Sequence, residues 1–420
     1  MEKQVSIALS MIVKNEAPII IHTLEHLQSH FNIDTWVICD TGSTDQTVAL
    51  VQDYLLKHQL KGQVLTHVWQ DFAHNRNLAL EACRDQADYI LFWDADDRIE
   101  GQLCLPSLDL DAYALKLKEE NGLIHYRYLL VQNDLACMWH SKLHEFIAFA
   151  PDTKTAMIMG DYHVRVGHFG ARSQNKNKYH DDVKHLSLFY AQEQDVFLKA
   201  RYAYYSGLSC LNIVQYLQAK QWFERRLSYT QEYPNIVFNI DEEYESYLKL
   251  GQIAGHFKQY EDAVSYWKIA IQRFTTRFDA PYELSKLYLQ QGQYQLAYDY
   301  AQQAKVIVQQ HSTSMAYYQG FTMSYGIDLQ LLNASLALQK PILAYQHILP
   351  LLEKKPLSNQ FYCDLITVIS QLKIQCVAEQ DKNKQQLILS FLTLPQFKNN
   401  HILKARQKLL QQFKAVMPKL

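Results

Sequence analysis

The sequence predicts a two-part molecule: an α/β domain on a parallel sheet, then an all-α solenoid of stacked helix pairs. Three observations predict it. Apolar runs of strand length alternate with amphipathic segments through the first hundred residues, strand signals stop near Arg201, and small residues then recur at a period of about 34 residues. A chain of 420 residues exceeds a typical single domain, and 48% hydrophobic with 20% charged residues gives a substantial core. The formal net charge of -2 excludes a global pull towards nucleic acid.

Ser6 to Val13 reads as the first buried strand. It runs into Lys14-Asn15-Glu16 with no small-residue cleavage site, unlike a signal peptide. Asn15 is placed to cap a helix starting near Pro18, whose fixed φ and missing N–H suit a first turn. Thr35 to Cys39 is the second strand; it ends at Asp40-Thr41-Gly42-Ser43-Thr44-Asp45, and a helix follows to about Lys57. Val64 to Val68 is the third strand and Phe72 to about Arg84 the third helix. Tyr89 to Trp93 is the fourth strand, stopping at Asp94-Ala95-Asp96-Asp97. Apolar strands alternating with helices imply a parallel sheet covered on both faces, with ligands beyond the carboxyl ends of the strands. Both acidic clusters sit there.

No Gly-x-Gly-x-x-Gly or Walker loop follows these strands, so the usual backbone cradle for phosphate is missing. A divalent cation can bridge carboxylates and phosphate oxygens instead. Mg²⁺ and Mn²⁺ take oxygen ligands, and one or two carboxylates plus substrate phosphates suffice. Asp94-Ala95-Asp96 can supply them; taken alone, the same spacing describes a solvated turn with Asp97 capping a following helix.

The order of the pieces narrows the choice. Ser10-Met11-Ile12-Val13-Lys14-Asn15-Glu16, Cys39 to Asp45, Asp71-Phe72-Ala73-His74-Asn75-Arg76-Asn77 and Phe92-Trp93-Asp94-Ala95-Asp96-Asp97 follow one another. In that order they resemble glycosyltransferase family 2, over roughly residues 5 to 190. Asn75 departs from the pattern, since relatives more often carry a small residue there. The resemblance implies a GT-A (Rossmann-like) domain that binds a nucleotide sugar, with Mn²⁺ or Mg²⁺ as cofactor. It implies that Val13, Asn15 and Glu16 frame the nucleoside, that Asp40 hydrogen-bonds the base, uracil fitting best, and that Arg76 lies near the phosphates. Asp94 would face the ribose or the metal, and Asp96 would be the principal metal ligand. Read singly, Asp40 is a turn former and Arg76 a helix-surface cation.

Inverting transfer needs a base for the acceptor proton. His144-Glu145 falls where relatives of this type often carry a His-Glu pair, which implies Glu145 as base and His144 as its neighbour in the site. The plain alternative is a solvated Glu on an amphipathic strand. His140 and His144 are four apart, but no His-Glu-x-x-His order exists to support a protease-like zinc site. In Gly167-His168-Phe169-Gly170, the resemblance implies that His168 completes the metal shell. Arg165, Arg172, Lys176 and Lys178 would close over the diphosphate, or else form a solvated basic face.

Gly251, Ala263, Trp267 and Ala270 match the tetratricopeptide pattern, with Tyr247 and Leu250 before them. One period later come Ser285, Ala297, Ala301 and Ala304, with Tyr288; a looser earlier copy has Gly207, Ala219 and Phe223 before a connection carrying Pro234. The pattern divides the chain into a nucleotide-sugar-binding catalytic domain (1–195), tetratricopeptide-like repeats (196–310) and an irregular helical extension (311–420). From Lys382 onwards there is no Asp or Glu, and Ile402, Leu403, Leu409, Leu410, Phe413 and Val416 form an apolar face. A helix capping the solenoid is expected there, with membrane contact at most peripheral.

The seven cysteines are odd in number, scattered and never spaced Cys-x-x-Cys, which indicates reduced thiols and a cytoplasmic protein. The expected activity is metal-dependent, inverting transfer of a sugar from a nucleotide sugar, UDP-linked by preference, to a peptide, protein or glycan. A protein partner on the repeats and a homo-oligomer are compatible with this pattern. Nucleotidyl transfer would need a Gly-rich basic loop after the first strand, and an aspartyl phosphatase an Asp-x-Asp after the first strand rather than the fourth. The non-enzymatic alternative is a repeat scaffold that binds a protein partner.

Overall fold

The computed structural model describes residues 5–167, 170, 174–311, 317–354, 359–372, 381–394 and 406–411. The expectations for His168, Arg172, Ile402, Leu403, Phe413 and Val416 lie outside them.

Strands β1 (Ile7–Val13), β2 (Thr35–Asp40), β3 (Gly62–Thr66) and β4 (Tyr89–Phe92) are parallel, in the order β3-β2-β1-β4. Helices α1 (Ile20–His30), α2 (Thr47–Lys57) and α3 (Phe72–Cys83) connect them, α3 packing on β1 and β2 and α2 on β3. This is the expected alternation, with two corrections. Asn15 does not cap α1; its backbone is left-handed (φ 56°) and its side chain is used elsewhere. The third strand starts two residues before the expected Val64 and leaves Val68 89% exposed, because β3 is an edge strand.

Beyond β4 the sheet is no longer parallel, which corrects the expectation of a purely parallel sheet. Strand β7 (Leu123–Gln132) runs antiparallel to β4 and to β6 (Ala112–Lys118). Strand β11 (Tyr162–Arg165) is parallel to β6 and antiparallel to β5 (Arg98–Gly101). The cause is local: β6 and β7 are joined by a tight turn carrying Gly122 at φ 81°, too short a link for a parallel crossover. The Asp94–Asp97 turn leads into β5, so Asp97 caps no helix. Strands β8 (Cys137–His140) and β9 (Phe146–Phe149) form a separate antiparallel pair whose connecting loop carries His144 and Glu145. Short β10 (Thr155–Met157) adds to β6.

The chain divides into two compact units, Met1–Ile253 with Ala316–Tyr318, and Ala254–Met315 with Gln319–Leu420. Besides the sheet, the first holds α4 (Lys178–Gln192), α5 (Val196–Asn212), α6 (Tyr216–Glu232) and most of α7 (Ile240–His256). At Gly207 a Cβ would lie 2.8 Å from the buried Phe223 ring, so glycine sets the closeness of α5 and α6, as the repeat pattern expects. The second unit is helical: α8 (Tyr260–Arg273), α9 (Asp279–Gln290), α10 (Tyr294–His311), α11 (Ile327–Ala337), α12 (Pro341–Leu352), α13 (Asn359–Gln371) and α14 (Lys382–Thr393). Ala263, Trp267, Ala270, Ser285, Ala297, Ala301 and Ala304 are buried, and α8 to α12 each pack on the next, making a tetratricopeptide-like array. Leu409 is buried in the core around Ile348, Ile369 and Ile388, so described C-terminal residues join the helical unit. Among the described residues no helix is long and apolar enough to cross a membrane, and Cys39, Cys83, Cys104, Cys137, Cys210 and Cys363 are free.

Candidate functional site

A cavity of about 1070 Å³ opens beyond the carboxyl ends of β1 and β4. Val13, Asn15 and Glu16 line it from β1 and its loop. That loop is pinned to the turn after β2. The backbone N–H of Asn15 donates to Ser43 Oγ (2.8 Å), that of Glu16 to Thr47 Oγ1 (2.8 Å), and that of Thr44 to Asn15 Oδ1 (2.7 Å). Asp40 is buried and is not among the lining residues, whereas Thr41 is. The Asp40 carboxylate accepts the N–H groups of Gly42 (3.0 Å) and Ser43 (3.1 Å), so the geometry displays a turn former rather than a base contact.

Helix α3 begins at Asp71, whose carboxylate accepts the His74 N–H. The departing residue Asn75 is buried and ties down the preceding loop. It donates to the Val68 carbonyl (3.2 Å) and accepts the Gln70 N–H (3.0 Å). Asn77 exchanges two hydrogen bonds with the Trp139 backbone, at 2.8 and 2.9 Å. Between them Arg76 points inward, its guanidinium 5.0 Å from the Trp139 ring centroid. Arg76 is therefore buried in the site and is no helix-surface cation. It donates through Nε to Glu145 (2.7 Å) and through Nη2 to Asp94 (2.6 Å).

Asp94 is bracketed by two guanidinium groups, since Arg127 of β7 also donates to it at 3.0 Å. Burial alone would raise the Asp94 pKa, but Arg76 and then Arg127 hold its carboxyl well below the usual carboxylate range. Burial likewise works against the Arg76 charge, and Asp94 and Glu145 outweigh it. Arg127 reaches Asp97 only at 3.3 Å. Burial and the Asp94 charge push Asp97 up to about 7, against the pull of Arg127 and the Gly167 N–H. Arg127 is a site residue the sequence reading missed. Its signal was slight, one guanidinium within the His125-Tyr126-Arg127-Tyr128 strand.

Asp96 has a different environment. Its Oδ2 accepts the Gly170 N–H at 3.1 Å. A Cβ at Gly170 would lie 2.9 Å from that oxygen and 3.2 Å from Glu16 Oε1, and one at Gly167 would lie 2.1 Å from the Asp96 carbonyl. The two glycines thus let the segment approach Asp96 more closely than any side chain allows. Two carboxylates converge on a niche that a methyl group would fill, a donor set suited to Mg²⁺ or Mn²⁺. Among the described residues no three His, Cys, Asp or Glu gather to hold a metal unaided, so substrate oxygens would have to complete the shell. Arg165 does not face this niche; it pairs with Glu100 at 2.7 Å, while Lys178 lines the cavity and Lys176 is exposed.

His144 and Glu145 also line the cavity. His144 has left-handed backbone (φ 58°) and its ring stacks on Tyr205 of α5 at 4.0 Å. His140 is exposed and lies against Phe146. One hollow therefore joins paired carboxylates on a strand end, a buried cation, and a separate carboxylate held by that cation. Such a set can bind a cation-bridged anion and receive a proton.

Residues 9–177 match the model of Glycosyl transferase family 2. No curated protein matches the chain. Among solved structures, S. aureus TarS 1-349 in complex with UDP-GlcNAc is similar at 14% identity over 59% of this chain and 80% of that one, with a TM-score of 0.31. Yeast Tom70 is similar at 13% identity over 58% and 43%, with a TM-score of 0.35. A mutant of MamA is similar at 13% identity over 50% and 98%, with a TM-score of 0.31.

Proposed function

We propose that this chain, whose residues 9–177 are a glycosyl transferase family 2 domain, moves a sugar from a UDP-sugar to an acceptor hydroxyl, amide or thiol with inversion. A nucleotide sugar as donor follows from the family. One observation carries it: Asp96 and Glu16 converge on one niche of the cavity, and Glu145 lines the same cavity from the β8–β9 loop.

Val13, Asn15 and Glu16 frame the nucleoside, and Asp40 shapes the turn that presents Thr41 to it. Asp96, joined on the family resemblance by His168, would hold Mn²⁺ or Mg²⁺, and Asp94 would face the ribose or the metal. When bound, the cation offsets charge on the departing diphosphate. Arg76 and Lys178, which line the cavity, would add positive charge near the phosphates, and Arg172 is assigned the same role from the sequence. Arg76 fixes Glu145 through Oε1, and Oε2 takes the acceptor proton, with His144 alongside. The division into a catalytic domain (1–195), repeats (196–310) and an extension (311–420) belongs to the same proposal. So do a peptide, protein or glycan acceptor, a protein partner on the repeats, self-association, and a cytoplasmic setting that suits the free thiols.

A thermal-shift panel of nucleotide sugars, each with and without Mn²⁺, tests the donor site. UDP-sugars are expected to stabilise the protein only with metal, and Asp96→Ala to abolish the effect. Equal stabilisation of wild type and variant would remove Asp96 from the site.

A further inference from the structure

Helix α5, at the start of the helical region, reaches the loop between β8 and β9. Arg201 is buried on that helix. Its Nε and Nη2 donate to the same acceptor, the backbone carbonyl of His144, at 3.1 and 2.8 Å. Its Nη1 pairs with Glu242 of α7. The guanidinium lies between two rings, 4.6 Å from the Phe146 centroid and 4.8 Å from that of Tyr205.

A buried guanidinium that donates twice to one main-chain carbonyl fixes where that carbonyl sits and which way it points. Here there is a reason to hold it. The loop places Ser141 and His144 in left-handed backbone, at φ 75° and 58°, a conformation that non-glycine residues keep only under constraint. The next peptide carries Glu145. Arg201 is anchored in turn, because Glu242 is also within 3.6 Å of Arg226, a side chain of α6 with no exposure. The chain of contacts runs Arg226, Glu242, Arg201, His144 carbonyl, Glu145.

We propose that Arg201 is a positioning residue for the transfer reaction: it clamps the His144 carbonyl and thereby fixes the reach of Glu145 into the cavity. The first helix pairs are then part of the catalytic centre. The inference rests on Glu145 being the base, so the test includes that residue.

Lysine at 201 keeps a positive charge for Glu242 but cannot donate twice to one carbonyl while doing so. The test measures UDP release from the UDP-sugar that stabilises the full-length protein most, with Mn²⁺ and water as acceptor, in wild type, Arg201→Lys, Arg226→Lys and Glu145→Gln. Arg201→Lys is expected to melt close to wild type and keep its donor KM, yet lose at least about tenfold in kcat. Arg226→Lys, one step further from the loop, is expected to lose less in kcat than Arg201→Lys, again with donor KM kept. Arg201→Lys turning over at the wild-type rate while Glu145→Gln is dead overturns the clamp and spares the base. Loss of donor KM in step with kcat in Arg201→Lys also overturns it, by showing a collapsed site. Full activity in Glu145→Gln sinks both.

Discussion

At the scale of single residues, the carboxylates were legible because each is announced by its neighbours. An apolar strand that stops at Asp94-Ala95-Asp96-Asp97 places acids at a strand end whatever follows. The two glycines after β11 were visible as letters, but their reason was not, since it depends on a contact with Asp96 more than seventy residues away (|i−j| of 74 for the Gly170 bond). That reason makes a prediction. A methyl group at 167 meets backbone, with the Asp96 carbonyl oxygen at 2.1 Å and its carbon at 2.4 Å, and backbone cannot swing aside. A methyl group at 170 meets the ends of the Asp96 and Glu16 side chains, which can. Gly167→Ala should therefore displace the segment by an ångström or so and slow UDP release about a hundredfold, with Gly170→Ala milder. Assay of both variants beside their melting curves checks this, and equal rates in the two would refute the steric argument.

At the scale of elements, periodicity located β1, β2, β4 and α3 to within a residue or two, because each carries its own buried face. It missed Arg127 and Arg201 as site residues for one shared reason. Arg127 acquires its role only when β7 turns back beside β4, 33 residues from Asp94, and Arg201 only when α5 docks on a loop 57 residues earlier. Helix α1 has a comparable hidden contact. The N–H of Ile99, on β5, donates to His26 Nε2 at 2.9 Å, which requires an unprotonated nitrogen. Burial first, then His30, Arg98 and His22, lower the His26 pKa from 6.5 to about 4. The unfolded chain therefore binds the extra proton between those values. The stabilisation is complete above pH 6.5 and is lost as pH falls towards 4. Melting temperatures at pH 7 and pH 5 should drop further for wild type than for His26→Gln, and parallel drops would contradict the assignment.

At the scale of the whole molecule, the question is where the catalytic unit ends. The family match stops at 177, and the change from strand to helix signals puts the end near 195, yet the compact unit runs on to Ile253. The reason is burial. Leu143, Leu186 and Tyr202 form a shared core with Phe72 packed against it, and the Tyr202 hydroxyl accepts the Lys142 N–H at 3.1 Å. Removing α5 exposes Leu143, frees the His144 carbonyl and strips Tyr205 from the His144 ring, all at the wall that bears Glu145. A fragment ending at residue 195 should thus fail to give a cooperative melt or any Mn²⁺-dependent shift with a UDP-sugar. A fragment ending at Lys258 keeps α5, α6 and α7 with the Arg226–Glu242–Arg201 chain, and lacks from its unit only the short return at 316–318. It should fold, melt somewhat below the full chain, and retain the metal-dependent shift. Circular dichroism melts and the same thermal-shift panel distinguish these outcomes. Donor binding by the shorter fragment would show that the sheet domain builds the donor site without helical support.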